Sequence, residues 1–128
     1  MTVEAIWSPK GEDLVGYLEA FRFRAIHEFE LQALIEKALK QTTVRFEREA
    51  RLSSADRIDF LVHGATRIGI EVKVDGSVQA VTRQLHRYAQ LDTIQELVLF
   101  TTRSKHRGIP RSFAGKPIHV IHAMNSFL

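Results

Sequence analysis

Glu71 and Lys73 stand two residues apart in the run Ile68-Gly69-Ile70-Glu71-Val72-Lys73-Val74, which is otherwise apolar. In a strand the side chains at i and i+2 share a face, so a carboxylate and an ammonium would project together from a segment suited to burial. Twelve residues before Glu71, the run Arg57-Ile58-Asp59-Phe60-Leu61-Val62 carries a single Asp. Between the two runs, His63-Gly64-Ala65-Thr66 has the glycine and short polar side chains of a hairpin loop. If Gly64, Ala65 and Thr66 form a three-residue loop, His63 faces Arg67 and Asp59 falls opposite Glu71, with Cβ atoms roughly 5 Å apart. Two carboxylates so placed repel, and a divalent cation held between them is the economical reason to keep both.

Hydrolysis of a phosphodiester needs charge stabilisation on the phosphoryl oxygens and a water made nucleophilic near neutral pH, and a carboxylate-held Mg²⁺ supplies both. Asp59 and Glu71 are the expected ligands, joined by the Val72 carbonyl, and Lys73 is placed to orient the water or to steady charge in the transition state. Mn²⁺ is the expected substitute for Mg²⁺. A Glu-x-Lys triplet alone is a common ion pair on solvent-facing strand edges, so the reading needs further support.

That support comes from two helical segments. In Gln84-Leu85-His86-Arg87-Tyr88, Gln84 and Tyr88 are four apart and share a helical face, where Gln84 is expected to bond Lys73 or the water and Tyr88 to meet a phosphate or stack on a base. Arg83 and Arg87 lie beside them and are expected to contact nucleic acid as well. Glu28, in the first turn of an earlier helix, offers a third carboxylate to the metal. Glu30 and Glu36 on the same helix are alternatives for that acid, and Glu49 is a candidate for an accessory role.

Together these residues resemble the PD-(D/E)xK nuclease superfamily, and within it the members related to RecB-type and lambda-type exonuclease domains. The resemblance spans about Ile26 to Thr102. It implies an α/β fold with a restriction-endonuclease-like αβββαβ core, a mixed central sheet flanked by helices. It also implies that Glu28 is the helix carboxylate, Asp59 the motif aspartate, Glu71 and Lys73 the Glu-x-Lys pair, and Gln84 with Tyr88 the Gln-x-x-x-Tyr motif. Asp59 follows Ile58 where the motif name has Pro.

The elements that must position these residues read as follows. Apolar spacing predicts helices over Glu12 to Phe23 and Ile26 to Lys40, as one helix or two. Val44 to Leu52 alternates as a half-buried strand with Val44, Phe46, Ala50 and Leu52 inward, and Ser53 to Asp56 is a turn before the hairpin. Ser77 is a plausible N-cap for a helix to about Leu91, after which Leu97 to Thr102 reads as a buried strand parallel to the one carrying Glu71. Arg103 to Pro117 reads as a loop and Ile118 to Ile121 as a last strand.

At 128 residues, 45% hydrophobic and 26% charged, the chain suits one domain, with its core at about 26–102, a helical N-terminal extension and a C-terminal basic loop and strand. No acidic residue follows Glu96, while Arg103, Lys105, Arg107, Arg111 and Lys116 all do, so the net charge of +3 is gathered in a surface suited to a polyanion. DNA is the expected partner, with RNA as an alternative. There is no cysteine, so any metal must be held by oxygen or imidazole. The histidines match no zinc spacing; His86 and His106 are expected near phosphate, His119 and His122 at strand ends. With no membrane-length apolar run and no signal-peptide layout over Met1 to Trp7, the expected location is the cytoplasm. The competing reading is a nucleic-acid-binding or assembly module that keeps the fold without catalysis, and a homo-oligomer or larger assembly is compatible with either.

Overall fold

The computed structural model describes residues 5–125. Met1 to Glu4, on which part of the signal-peptide reading rests, lie outside the described residues. Gly11–Glu19 forms α1, Arg24–Ala25 forms β1 and Glu28–Lys40 forms α2, so the two apolar helical stretches are separate helices. The first of them stops short of the expected Phe23. Phe21 turns edge-on to Tyr17 at 5.1 Å and Phe23 edge-on to Phe100 at 4.9 Å, and these ring contacts outweigh another helical turn.

Three strands follow, β2 (Arg45–Arg51), β3 (Arg57–His63) and β4 (Arg67–Lys73). After them come α3 (Val78–Ala89) and β5 (Glu96–Thr101). The Ser77 hydroxyl caps α3 as expected, accepting from the Ala80 N–H at 3.1 Å. The stretch expected to be a loop is more ordered than its composition suggested. It holds a 3-10 turn at Ser104–Gly108 and the short strand β6 (Ser112–Phe113), and it ends inside β7 (Lys116–His122). Ala114 and Gly115, with φ of 52° and 73°, make the two-residue turn whose twist lets β6 fold back onto β7. Met124–Asn125 (β8) pairs in parallel with β1.

The fold is α/β, with a mixed six-stranded sheet in the order β2-β3-β4-β5-β7-β6. β2, β3 and β4 are antiparallel, and β4, β5 and β7 are parallel. Phe60, Val62, Ile68, Ile70, Val72 and Phe100 pack on one face against Leu14 and Leu18 of α1 and Leu31, Ile35 and Leu39 of α2. Leu61, Leu97, Leu99 and Ile118 pack on the other against Val81, Leu85 and Tyr88 of α3. Helix-period stripes and alternating strand residues thus find each other across both faces.

One end of the sheet is tied off by a buried carboxylate. Glu96 accepts from the Gly11 N–H at 2.8 Å and the Thr66 hydroxyl at 2.6 Å, and bonds His119 at 2.9 Å. A Cβ on Gly11 would meet the ends of the Glu96 and His119 side chains, so a larger residue here would have to displace their bond. His119 is therefore an internal partner in the middle of β7 rather than a strand-end residue. The opposite, carboxyl end of β4 and β5 is left for other use. Among the described residues no helix is long and apolar enough to cross a membrane.

Candidate active site

The β3–β4 ladder runs from His63–Arg67 to Phe60–Ile70 in the register that the three-residue loop requires. Past that point β4 stays paired with β5 through Lys73–Thr101, while the pairing of β3 with β4 stops. Ile58 packs on the α3 side although Phe60, two residues on, packs on the other, so β3 kinks at Asp59. On its other flank, Arg48 pairs with Phe60 and Ala50 with Ile58, and the intervening Glu49 takes φ 49°. Two strands that fork in this way leave backbone donors without ladder partners, and side chains must take them.

Asp59 and Glu71 do so reciprocally. Asp59 Oδ2 accepts from the Val72 N–H at 2.7 Å, and Glu71 Oε1 accepts from the Asp59 N–H at 3.3 Å. The expected juxtaposition of the two acids is present, but side chain-to-backbone bonds create it rather than a ladder pair. Val72 contributes its N–H, and its side chain is buried under α1 and α2. Lys73 Nζ lies 3.7 Å from Glu71 Oε2 on the same face.

Glu71 is 4% exposed. Burial, then the charge of Asp59, pushes its carboxyl up to about 8, against the opposing pull of Lys73. Behind it, the Tyr88 hydroxyl donates to the Arg57 carbonyl at 2.9 Å and stands 3.3 Å from Glu71 Oε2, and Gln84 Nε2 donates to that hydroxyl at 2.9 Å. The i, i+4 pair on α3 therefore acts on Glu71. Gln84 bonds Tyr88, and Tyr88, 1% exposed, has no open ring face for the base expected to stack on it. Burial and the Glu71 charge also raise the Tyr88 hydroxyl above its usual range.

The acids of α2 face different ways. Leu31 and Ile35 point inward, so Glu28, one turn before Leu31, points inward too. Its carboxyl is raised by burial, lowered by Lys73 and the Val74 N–H, and raised by Asp59 and Glu49, the groups of the fork. Glu30 is used elsewhere, accepting from the His27 N–H at 2.9 Å in a capping box, and Glu36 pairs with Arg48 at 3.1 Å. Glu28, Asp59, Glu71, Lys73, Gln84 and Tyr88 are thus brought to one place; Glu30 and Glu36 are not.

No family model matches this chain, and no curated protein or solved structure does. Among the described residues no three Asp, Glu or His side chains are gathered closely enough to hold a metal ion. The donors at the fork nevertheless suit a hard cation: they are carboxylate oxygens, each oriented by a backbone N–H, and a cation would offset the burial and the Asp59 charge that raise Glu71.

The basic residues divide into groups. Arg103 and Lys105 line an open cleft of about 260 Å³ just past the carboxyl end of β5, beside the strand position paired with Lys73. Asp75, after β4, is held below the usual carboxylate range by the Gly76 N–H, with Arg103 and Lys105 adding to it. Arg107 lies toward His122, whose ring burial and this cation lower. Arg111 bonds back to the Ile109 carbonyl at 2.6 Å. Arg83 is exposed on α3, and Arg87 bonds the buried Asp56 at 2.9 Å.

His106, expected at phosphate, is fully buried: its ring bonds the Thr101 hydroxyl at 2.6 Å and the Gly76 carbonyl at 2.7 Å. It pins the basic turn to the segment between Lys73 and α3, a role no local signal marked. Asp56, in the turn before β3, anchors Arg87, a partner 31 residues away that no local pattern marks.

Proposed function

We propose that this chain is a Mg²⁺-dependent nuclease of the PD-(D/E)xK kind, built on a restriction-endonuclease-like core and hydrolysing DNA phosphodiester bonds by water attack. The observation that carries this reading is the fork between β3 and β4, where Asp59 and Glu71 are turned toward each other by reciprocal backbone bonds with Lys73 at 3.7 Å. When bound by Asp59 and Glu71, with Glu28 alongside, Mg²⁺ or Mn²⁺ would supply charge to the phosphoryl oxygens and acidify the attacking water.

The chain's own residues do the rest. The Val72 and Asp59 N–H groups fix the two carboxylates so that no reorganisation is needed on binding substrate. Tyr88, positioned by Gln84, holds Glu71 Oε2 from behind. Lys73 is placed to orient the attacking water and to hydrogen-bond the non-bridging oxygen that gains charge; as the water oxygen bonds phosphorus, the P–O bond to the leaving oxygen breaks, that oxygen leaves protonated from solvent, and the water's proton passes to solvent. Arg103 and Lys105, past the end of β5, lie where a phosphate backbone entering the fork is held.

Supercoiled, linear, single-stranded and branched DNA, each incubated with the protein in Mg²⁺ and in chelator, test this reading. Cleavage of at least one form in Mg²⁺ and none in chelator is expected. Cleavage that persists in chelator contradicts it, and binding without cleavage under every condition would make the chain a nucleic-acid-binding module of this fold.

A further inference from the structure

The outer side of α3 carries a groove of about 480 Å³ lined by Thr82, Arg83, His86, Arg87, Gln90 and Phe113. None of these is acidic, and two are guanidinium groups. Thr82, His86 and Gln90 form one row at i, i+4 spacing and Arg83 with Arg87 a second, so the groove runs along the helix. Its far wall comes from β6, where Phe113 stands edge-on to the His86 ring, with centroids 5.3 Å apart.

The cationic side is held in place. Arg87 Nε bonds Asp56 Oδ1 at 2.9 Å, and Asp56 is only 8% exposed. The Arg87 guanidinium also lies over the Tyr88 ring, 5.9 Å from its centroid. Tyr88 in turn reaches Glu71 Oε2 at 3.3 Å, so a chain of direct contacts links the groove to the carboxylates at the fork.

We propose that this groove takes an unpaired nucleotide, with a base against Phe113 and His86 and its flanking phosphates on Arg83 and Arg87. Cations in a concavity call for an anion, and an aromatic wall calls for a planar apolar face; a single strand of nucleic acid offers both in alternation. A duplex does not, because its bases are stacked on one another and meet a protein by their edges. The volume falls within the range of sites that enclose small ligands. The choice of nucleic acid rests on the nuclease reading, and the groove then specifies a substrate with a single-stranded segment.

Fluorescence anisotropy in chelator tests it, with labelled oligothymidine and a duplex of equal length titrated at several salt concentrations. Phe113→Ala should weaken single-strand binding roughly five- to hundredfold, leave the salt slope and duplex binding unchanged, and be rescued by Phe113→Trp. Arg83→Gln, at an exposed position, should reduce the single-strand salt slope by about 0.7 and keeps the test available if Phe113→Ala fails to fold. Parent-like single-strand affinity in Phe113→Ala, or equal loss on both DNAs, overturns the groove. Cleavage assays in Mg²⁺ on the same proteins separate the two readings. A parent that cleaves with no Phe113 effect on binding loses only the groove, and Phe113-dependent binding without cleavage loses only the nuclease.

Discussion

Asp59 and Glu71 each accept a hydrogen bond from the other's strand, Asp59 from the Val72 N–H and Glu71 from the Asp59 N–H. Each acid thereby replaces a rung of the ladder that stops at Phe60–Ile70. The same two bonds hold Asp59 close enough to add to the burial that raises the Glu71 carboxyl. Structure and chemistry at the fork are therefore coupled, and the coupling can be measured.

Glu71 is the first lever. Its carboxyl is raised from 4.5 to about 8 by burial and by Asp59, with Lys73 opposing and the Tyr88 hydroxyl 3.3 Å away. A carboxyl raised on folding costs nothing below its unfolded value and removes stability as pH climbs through the window from 4.5 to about 8. In chelator, Glu71→Gln should therefore melt like the parent near pH 4 and above it at pH 8. Mg²⁺ binds only the folded site, so millimolar Mg²⁺ should raise the parent's melting temperature and do much less for the Gln variant. A variant that melts lower at pH 8, with equal Mg²⁺ shifts, would make Glu71 an ordinary ion-pair partner of Lys73.

Tyr88→Phe removes one oxygen that meets Gln84, the Arg57 carbonyl and Glu71. Buried polar groups left without partners should cost about 1–3 kcal/mol in urea melts. Cleavage should fall further than the stability loss explains, because Glu71 Oε2 loses its positioning contact. Parent-like rates in a folded Tyr88→Phe protein would reduce the tyrosine to a core residue.

The acids of α2 should separate by function. Glu30→Ala removes a capping box and is expected to cost about 1 kcal/mol of stability while leaving cleavage intact. Glu28→Gln keeps the shape of a side chain whose charge is resisted by burial, so stability should hold or rise while the Mg²⁺ requirement for cleavage shifts to higher concentration. Cleavage assays over a Mg²⁺ series with thermal melts check both, and the reverse pattern would return the helix acid to Glu30.

Neutralising Arg103, Lys105, Arg107 and Arg111 together should weaken binding to every DNA sequence and flatten the dependence of log affinity on log salt by about one unit per lost phosphate contact. Titrations of parent and quadruple Ala protein at several salt concentrations measure this. Arg111, bonded back to its own loop, should contribute least when changed alone. Unchanged affinity and slope in the quadruple protein would leave the loop a solubilising surface.

What was legible in the sequence was local. Gly64, Ala65 and Thr66 set the hairpin register as far as Phe60–Ile70, one residue short of Asp59 and Glu71. The spacing of Gln84 and Tyr88 placed both on one face of α3, and Ser77 announced where that helix begins. The interruption of β3–β4 pairing was not legible, because it depends on how β4 keeps its partner β5 while β3 turns away at Asp59. The burial of His106 was equally hidden. It occurs in cationic surroundings that read as surface, and its partner Gly76, 30 residues away, shows it to be interior. The pairing of β1 with β8 and the β6–β7 hairpin rest on contacts too short to leave a periodic pattern.

The most direct test of the central claim is the single-turnover cleavage rate of Lys73→Ala against the parent, in millimolar Mg²⁺ and in chelator, on the DNA form the parent cuts best. Lys73 is half-buried at the rim and its removal should leave the fold intact by circular dichroism. A group acting on transition-state charge should cost roughly a hundredfold or more in rate when removed. The account predicts cleavage by the parent in Mg²⁺ only, with that loss in folded Lys73→Ala. Equal rates for the two proteins, or a parent that cleaves in chelator, would contradict it.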